Sequence, residues 1–154
     1  MTHSPSFSPN DLLLHRPPAL LLDAFIGSDG DSITMAVVVR ADDPFFREGL
    51  GIPAHIAIEW MAQTAGAFAG LDAKKAGEAV RIGFLLGTRN FRANRPWFAK
   101  GERLTVTAKL IFREEGMAVF ECRVDAADGT EAAAARLTVY QPGDGEQNGG
   151  QTHG

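Results

Sequence analysis

Cysteine is almost missing from this chain: among its 154 residues only Cys122 carries a thiol, which excludes an intramolecular disulfide and any multi-cysteine metal cluster. Nothing in that usage calls for an oxidising compartment, so a cytoplasmic setting is expected. An excess of positive charge is missing too. The formal net charge is −4 and the pI near 5.5, against the basic field that a nucleic-acid binder carries over one face. Met1-Thr2-His3-Ser4-Pro5 lacks a basic segment followed by an apolar run, so export is not expected. No membrane span is expected either: one needs about 20 mostly apolar residues, and the longest apolar region, 49–71, is interrupted by Pro53, His55 and Glu59. Phosphate-cradling glycine loops, metal-ligand spacings and nucleophilic-serine motifs are also absent, so no metal or cofactor is implied.

What is present suits one soluble domain. The 45% hydrophobic and 22% charged fractions are near the globular average, and a chain of this length buries about two thirds of its unfolded surface. Residues 1–10 hold three serines and two prolines, and 142–154 is rich in glycine and amides. Such segments bury too little surface to offset ordering. The expected organisation is a flexible tail over 1–10, a single domain over 11–141 and a flexible tail over 142–154.

Pro17-Pro18 blocks helix continuation, after which 19–26 reads as a strand closed by Gly27-Ser28-Asp29-Gly30-Asp31. Over 32–40, Ile33, Met35, Val37 and Val39 recur every second residue, the period of a strand with one buried face. These two segments predict a hairpin. Residues 41–52 form a loop with an exposed-looking pair, Phe45-Phe46. Pro53 then suits a first helical turn, and 54–71 has the alanine content of a helix roughly 27 Å long. It is apolar nearly all round, so the fold must cover it on most sides. Residues 80–87, 90–98, 102–113, 117–126 and 130–140 read as strands, the last three joined by Glu115-Gly116 and Asp128-Gly129 turns into an antiparallel meander. In 102–113, Leu104, Val106, Ala108, Leu110 and Phe112 share one face. The predicted class is α+β, an antiparallel sheet of five to seven strands wrapped around one long central helix.

Polar residues are few in that helix, and His55, Glu59 and Gln63 are spaced i, i+4, i+8, which sets them on one stripe. A carboxylate among Ile56, Ile58, Trp60 and Met61 must be hydrogen-bonded, protonated or facing a cleft. Cleft carboxylates serve as general acids. A structural reading competes, in which Glu59 and Gln63 form a buried network, and Gln63 otherwise orients Glu59. The first-turn N–H groups near Ala54 and His55 offer a partial positive charge to a thioester carbonyl. Small residues such as Ala62, Gly66 and Ala69 leave room for an alkyl chain, or serve close packing. Arg89, Arg92, Arg95, Lys100 and Arg103 gather around one acid, Glu102, and either receive an acidic carrier protein or phosphate, or guard a strand edge.

The segment Pro44-Phe45-Phe46, Ile52-Pro53-Ala54 and Ile58-Glu59-Trp60-Met61-Ala62-Gln63, preceded by Leu14-His15-Arg16-Pro17-Pro18 and Leu22-Asp23, resembles 3-hydroxyacyl-[acyl-carrier-protein] dehydratases of the hotdog fold. Within that group it is most similar to the dehydratase-like subfamily of aryl polyene biosynthesis clusters. Gly83-Phe84-Leu85-Leu86-Gly87-Thr88-Arg89 and Gly101-Glu102-Arg103-Leu104 extend the likeness over nearly the whole domain. The resemblance implies dimers joined through their sheets, with active sites in tunnels at the subunit interface, and a catalytic pair of loop histidine and helix carboxylate. Glu59 matches the carboxylate and Gln63 the glutamine after it. The loop histidine has no counterpart, because 47–52 is short and contains none; His15 matches a His-Arg-Pro motif that is not the family's usual base.

The expected function is therefore dehydration of 3-hydroxyacyl groups carried as phosphopantetheine thioesters on acyl carrier protein or coenzyme A, giving trans-2-enoyl products. Glu59 is the acid or water-orienting group. The base is His55, or His15, or a residue of a partner subunit. Ala54, Gln63, His15 and Gly66 are candidate substrate contacts, and Arg89, Arg92, Arg95 and Lys100 candidate carrier contacts. Two alternatives stand beside it: an acyl thioesterase, in which Glu59 activates water or attacks the carbonyl, and a pseudo-dehydratase that binds acyl chains and completes a partner's active site. The assembly is a homodimer or a heterodimer with a related subunit.

Overall fold

The computed structural model describes residues 7–16, 19–81 and 83–142. Of the two expected tails, 1–6 and 143–154 lie outside the described residues. The elements run α1 (Pro9–Leu12), β1 (Ala24–Asp29), β2 (Ser32–Val38), β3 (Ile52–Pro53), a 3-10 turn (Ala54–Ile56), α2 (Ala57–Lys75), β4 (Phe84–Ala93), β5 (Trp97–Phe98), β6 (Arg103–Glu114), β7 (Met117–Asp125) and β8 (Glu131–Tyr140).

Period-two hydrophobicity builds the main sheet. Ile33, Met35 and Val37 of β2 face inward and are almost wholly buried, as are Leu104, Val106 and Ala108 of β6 and Phe120, Cys122 and Val124 of β7. The six strands run antiparallel in the order β1-β2-β6-β7-β8-β4, which leaves β1 and β4 as edges. Between β6 and β7 the connection is the two residues Glu115-Gly116, both at positive φ (50° and 83°), the backbone a tight hairpin turn demands. β3 and β5 pair separately, below the start of α2.

The central helix sits in the concave side of this sheet, packed on β2, β6, β7 and β8. Trp60, Met61, Ala65 and Ala67 are fully buried along it. The helix ends where Gly77 takes φ +72 and lets Gly77 N–H donate to Lys74 O and Glu78 N–H to Ala73 O, a paired glycine stop, while Lys74 and Lys75 complement the negative end of the dipole. No helix among the described residues is long and apolar enough to cross a membrane.

Several expectations are corrected. The first strand starts at Ala24, not 19, because 19–23 is held by side chains and covers α2 with Leu21 and Leu22. Pro53 belongs to β3 and caps a 3-10 turn, and the helix runs to Lys75, one turn past 71. The strands expected over 80–87 and 90–98 are divided differently: β4 runs unbroken over Phe84–Ala93, through the expected gap at 88–89, bent by irregularities at Leu85/Gly87 and Arg89/Arg92 with Asn90 at φ 58, and Trp97–Phe98 forms the separate β5. Phe112 leaves the buried face because the register shifts between Leu110 and Phe112, and it is 51% exposed. Phe45 and Phe46 are half-buried against the core rather than exposed.

Before β1, the chain is drawn down onto the helix. Leu12 and Leu13 are buried, and Phe7 meets Phe25 edge to face at 5.6 Å. Gly70 lies where α2 passes the Leu12 carbonyl, and a methyl group there would overlap that oxygen. Gly70→Ala should therefore lower stability by about 1–3 kcal/mol through overpacking, outweighing a helix-propensity gain of about 1 kcal/mol. Urea unfolding checks this, with Gly27→Ala, a site open to space, as the control; an unchanged or higher midpoint for Gly70→Ala would remove this contact from the fold.

Candidate functional site

Gln63 organises the site. Its side chain is buried, its Oε1 accepts from Leu21 N–H at 2.9 Å and its Nε2 donates to Ala19 O at 2.8 Å, so both ends of one amide hold the segment before β1 onto α2. Arg16 stiffens the same segment by donating to Leu13 O and His15 O at 2.8 and 2.7 Å. Gly66 admits it closely, since a Cβ there would stand 3.1 Å from Leu13 Cδ2.

Between this segment, α2 and the far ends of β4 and β8 lies a cavity of about 190 Å³. Glu59, Gln63 and Gly66 line it from the helix, His15 from the clamped segment and Tyr140 from β8. Glu59 stands exposed in the first turn of α2, where the dipole favours a carboxylate, and it makes no hydrogen bond or ion pair with another described residue. The stripe His55, Glu59, Gln63 is thus divided by its surroundings. Gln63 is buried structure, Glu59 opens onto the cavity, and His55, in the 3-10 turn, is exposed and outside the cavity lining. His15, more than forty residues upstream in sequence, shares the cavity with Glu59.

The Ala54 amide donates to Pro96 O at 2.9 Å, so it is occupied within the fold and is not open to a substrate carbonyl. Arg47 and Gly51 exchange backbone hydrogen bonds at 2.7 and 2.9 Å, closing the segment before α2 into a tight turn that carries no histidine. The basic group is split. Arg92 pairs with Glu131 at 3.3 Å and Arg95 with Glu102, while Arg89 and Lys100 are exposed and make no ion pair with a described residue. Burial pushes the Cys122 thiol up to about 12, which removes it as a nucleophile near neutral pH. Leu13, Tyr140 and Gln141 were missed from sequence as lining residues; only the chain's single tyrosine, placed at a strand end, offered a signal.

A curled antiparallel sheet wrapped on one long central helix, with a carboxylate of that helix at the mouth of a cavity, defines a hotdog-fold protein. The family model described as ApeP dehydratase, ApeP-like, matches residues 7–149, and the chain belongs to that family. It is 34% identical over 133 residues to the 3-hydroxyacyl-[acyl-carrier-protein] dehydratase FabZ of Brucella melitensis, covering 83% of this chain and 82% of that protein. The FabZ of Streptococcus thermophilus is 30% identical over 132 residues, covering 83% and 90%. Among solved structures, a chain of the dehydratase heterocomplex ApeI:P from Xenorhabdus doucetiae superposes with a TM-score of 0.85 at 31% identity, covering 93% of this chain and 96% of that one. A hypothetical thioesterase of Streptococcus pneumoniae, at 10% identity and TM-score 0.59 over 77% of this chain and 84% of that one, shares the fold.

Gln63→Met keeps the volume but leaves Leu21 N–H and Ala19 C=O without their partner, a cost of about 1–3 kcal/mol for each buried group left unsatisfied. Hydrogen exchange should show the Leu21 amide losing protection well before the amides of α2. A uniform loss across the domain would mean that Gln63 does not act as the clamp.

Proposed function

We propose that this chain acts as a subunit of a 3-hydroxyacyl-thioester dehydratase, with the reacting end of the substrate at Glu59. The carrying observation is a single carboxylate, without a partner among the described residues, at the mouth of a cavity lined by small and apolar side chains of α2. Membership of the ApeP-like family and the likeness to FabZ support the reaction class. A base removes the α-proton, the electron pair forms the Cα–Cβ double bond, and the C3–O bond breaks as Glu59 protonates the departing hydroxyl, so that trans-2-enoyl thioester and water leave. His15 is the imidazole we assign as base within one chain, supported by its place in the lining that holds Glu59. His55 is less suited, lying outside that lining.

A second reading concerns assembly. β4 is a free edge, and Phe84, Leu85 and Leu86 on it are 49%, 41% and 55% exposed beside the cavity. A second subunit pairing along β4 would cover them and close the cavity, and the missing histidine of the 47–51 turn would then come from a related partner. The ApeI:P heterocomplex is the precedent for a mixed dehydratase. Arg89 and Lys100, free of ion pairs with described residues, are the cations we assign to an acidic carrier protein, ahead of Arg92 and Arg95.

Purified protein given a 3-hydroxyacyl carrier substrate should yield the enoyl product, and Glu59→Gln should lower the rate by about a hundredfold or more, the usual worth of a general acid. Turnover that survives in Glu59→Gln would exclude the carboxylate from the chemistry, and release of free thiol without enoyl product would make the protein a thioesterase. His15→Asn sorts the two assemblies. Loss of activity in the chain alone supports His15 as base, whereas activity that arises only on mixing with a histidine-bearing relative, and survives His15→Asn, assigns the base to the partner.

A further inference from the structure

Ile111 and Phe112 of β6 and Met117 of β7 are large apolar side chains that cluster, exposed, beside the β6–β7 turn. The outer face of the sheet, away from the helix, carries them. On β7, Ala118, Phe120, Cys122 and Val124 are buried toward the helix, so alternation turns Met117, Val119 and Glu121 outward. Their cross-strand partners on β6 and β8 turn outward with them. The register shift between Leu110 and Phe112 is what brings Phe112 to this side; an unbroken strand would point it inward with Ala108 and Leu110. We propose that this outer face is a docking surface for a second copy of the chain, packed sheet against sheet about a two-fold axis along the rung Phe112, Val119, Thr138. The contact is separate from any pairing along β4 and independent of the chemistry assigned to Glu59.

Other covers fit this patch poorly. A strand added at β4 stays on the far side of β8 and β7 from Ile111 and Phe112, and the sequence of 143–154 has no large apolar side chain to lay over them. Glu114 and Glu115, beside the apolar residues, disfavour an anionic bilayer. The charges suit a second copy instead. Across β6, β7 and β8, three successive outward rungs read Glu114, Met117, Tyr140, then Phe112, Val119, Thr138, then Lys109, Glu121, Arg136. Turning a copy by 180° about the middle rung sets each strand opposite its own counterpart and exchanges the two outer rungs. Phe112 then meets Phe112, Val119 meets Val119, and Glu114 meets Lys109 of the other copy, twice in the assembly. Glu114 and Lys109 are exposed and neither makes an ion pair with a described residue. Met117 and Tyr140 come over the Glu121–Arg136 pair, which is already closed within each copy.

Sedimentation velocity on the full chain, with its partner subunit if the assembly is mixed, tests the contact. The wild type should sediment with twice the mass of Phe112→Asp. That variant should raise the dissociation constant of this contact about a hundredfold or more, since it removes a central aromatic from both copies and sets two carboxylates together. Lys109→Glu and Glu114→Lys should each weaken association about tenfold by bringing like charges into contact. The double variant, with opposite charges in exchanged positions, should return it to within about threefold of the wild type. Within one chain the two side chains stand about 14 Å apart, four residues of β7 at about 3.4 Å each, so such a recovery reports contact between copies. All three positions are exposed, and circular dichroism checks that the variants fold. A mass that Phe112→Asp leaves unchanged, or a double variant no better than its parents, overturns the proposal. Wild-type binding to phosphatidylcholine–phosphatidylglycerol vesicles that is lost in Phe112→Asp, with no change of mass in free solution, overturns it too and gives the face to a membrane.

Discussion

Helix α2 is apolar on almost every face, and the fold is the set of surfaces that cover it. Each large side chain removed from water contributes about 1.5–3 kcal/mol, and Trp60, Met61, Phe68 and Leu71 all depend on cover that no single element supplies. The sheet covers one side through β2, β6, β7 and β8. The segment before β1 covers a second, bound by the Gln63 amide and seated against Gly66 and Gly70. Where these two covers stop short of each other, an opening remains along the helix, and Glu59 occupies its mouth.

That arrangement lets a carboxylate sit on an apolar helix without the cost of burying a charge. Glu59 is in the first turn, at the favourable end of the dipole, and in contact with solvent. The same opening borders β4, an unpaired edge with three exposed apolar residues in sequence. Free edges of that kind invite another chain to pair with them. The proposed reacting group and the free edge are thus adjacent on this surface, and a chain that paired with β4 would alter the wall of the cavity.

Much of the fold was legible in the sequence because it is written in periodicity. Ile33, Met35 and Val37 announced β2, the Glu115-Gly116 and Asp128-Gly129 turns announced the meander, and the alanine-rich run announced the helix. What periodicity missed was set by tertiary contact. Leu20, Leu21 and Leu22 look like a strand but are tied down by a side chain more than forty residues away, and Asn90 looks like a break but is a bend inside one strand. Glu59 and Gln63 were visible as polar exceptions in an apolar helix. The nearness of His15 to that helix face was not, because nothing local in Leu14-His15-Arg16 says where the chain returns, and His55 drew attention only through sequence spacing.

The Gln63 clamp also dictates an order of events during synthesis. Leu12, Leu13, Leu21 and Leu22 all precede α2 in the chain, and the two backbone groups that the amide holds, Leu21 N–H and Ala19 C=O, emerge 42 and 44 residues ahead of it. At about 5–20 residues per second of elongation, these four leucines spend seconds without their native neighbours on the nascent chain. Until α2 has left the ribosome, that amino-terminal apolar stretch has no amide to hold it and stays open to water.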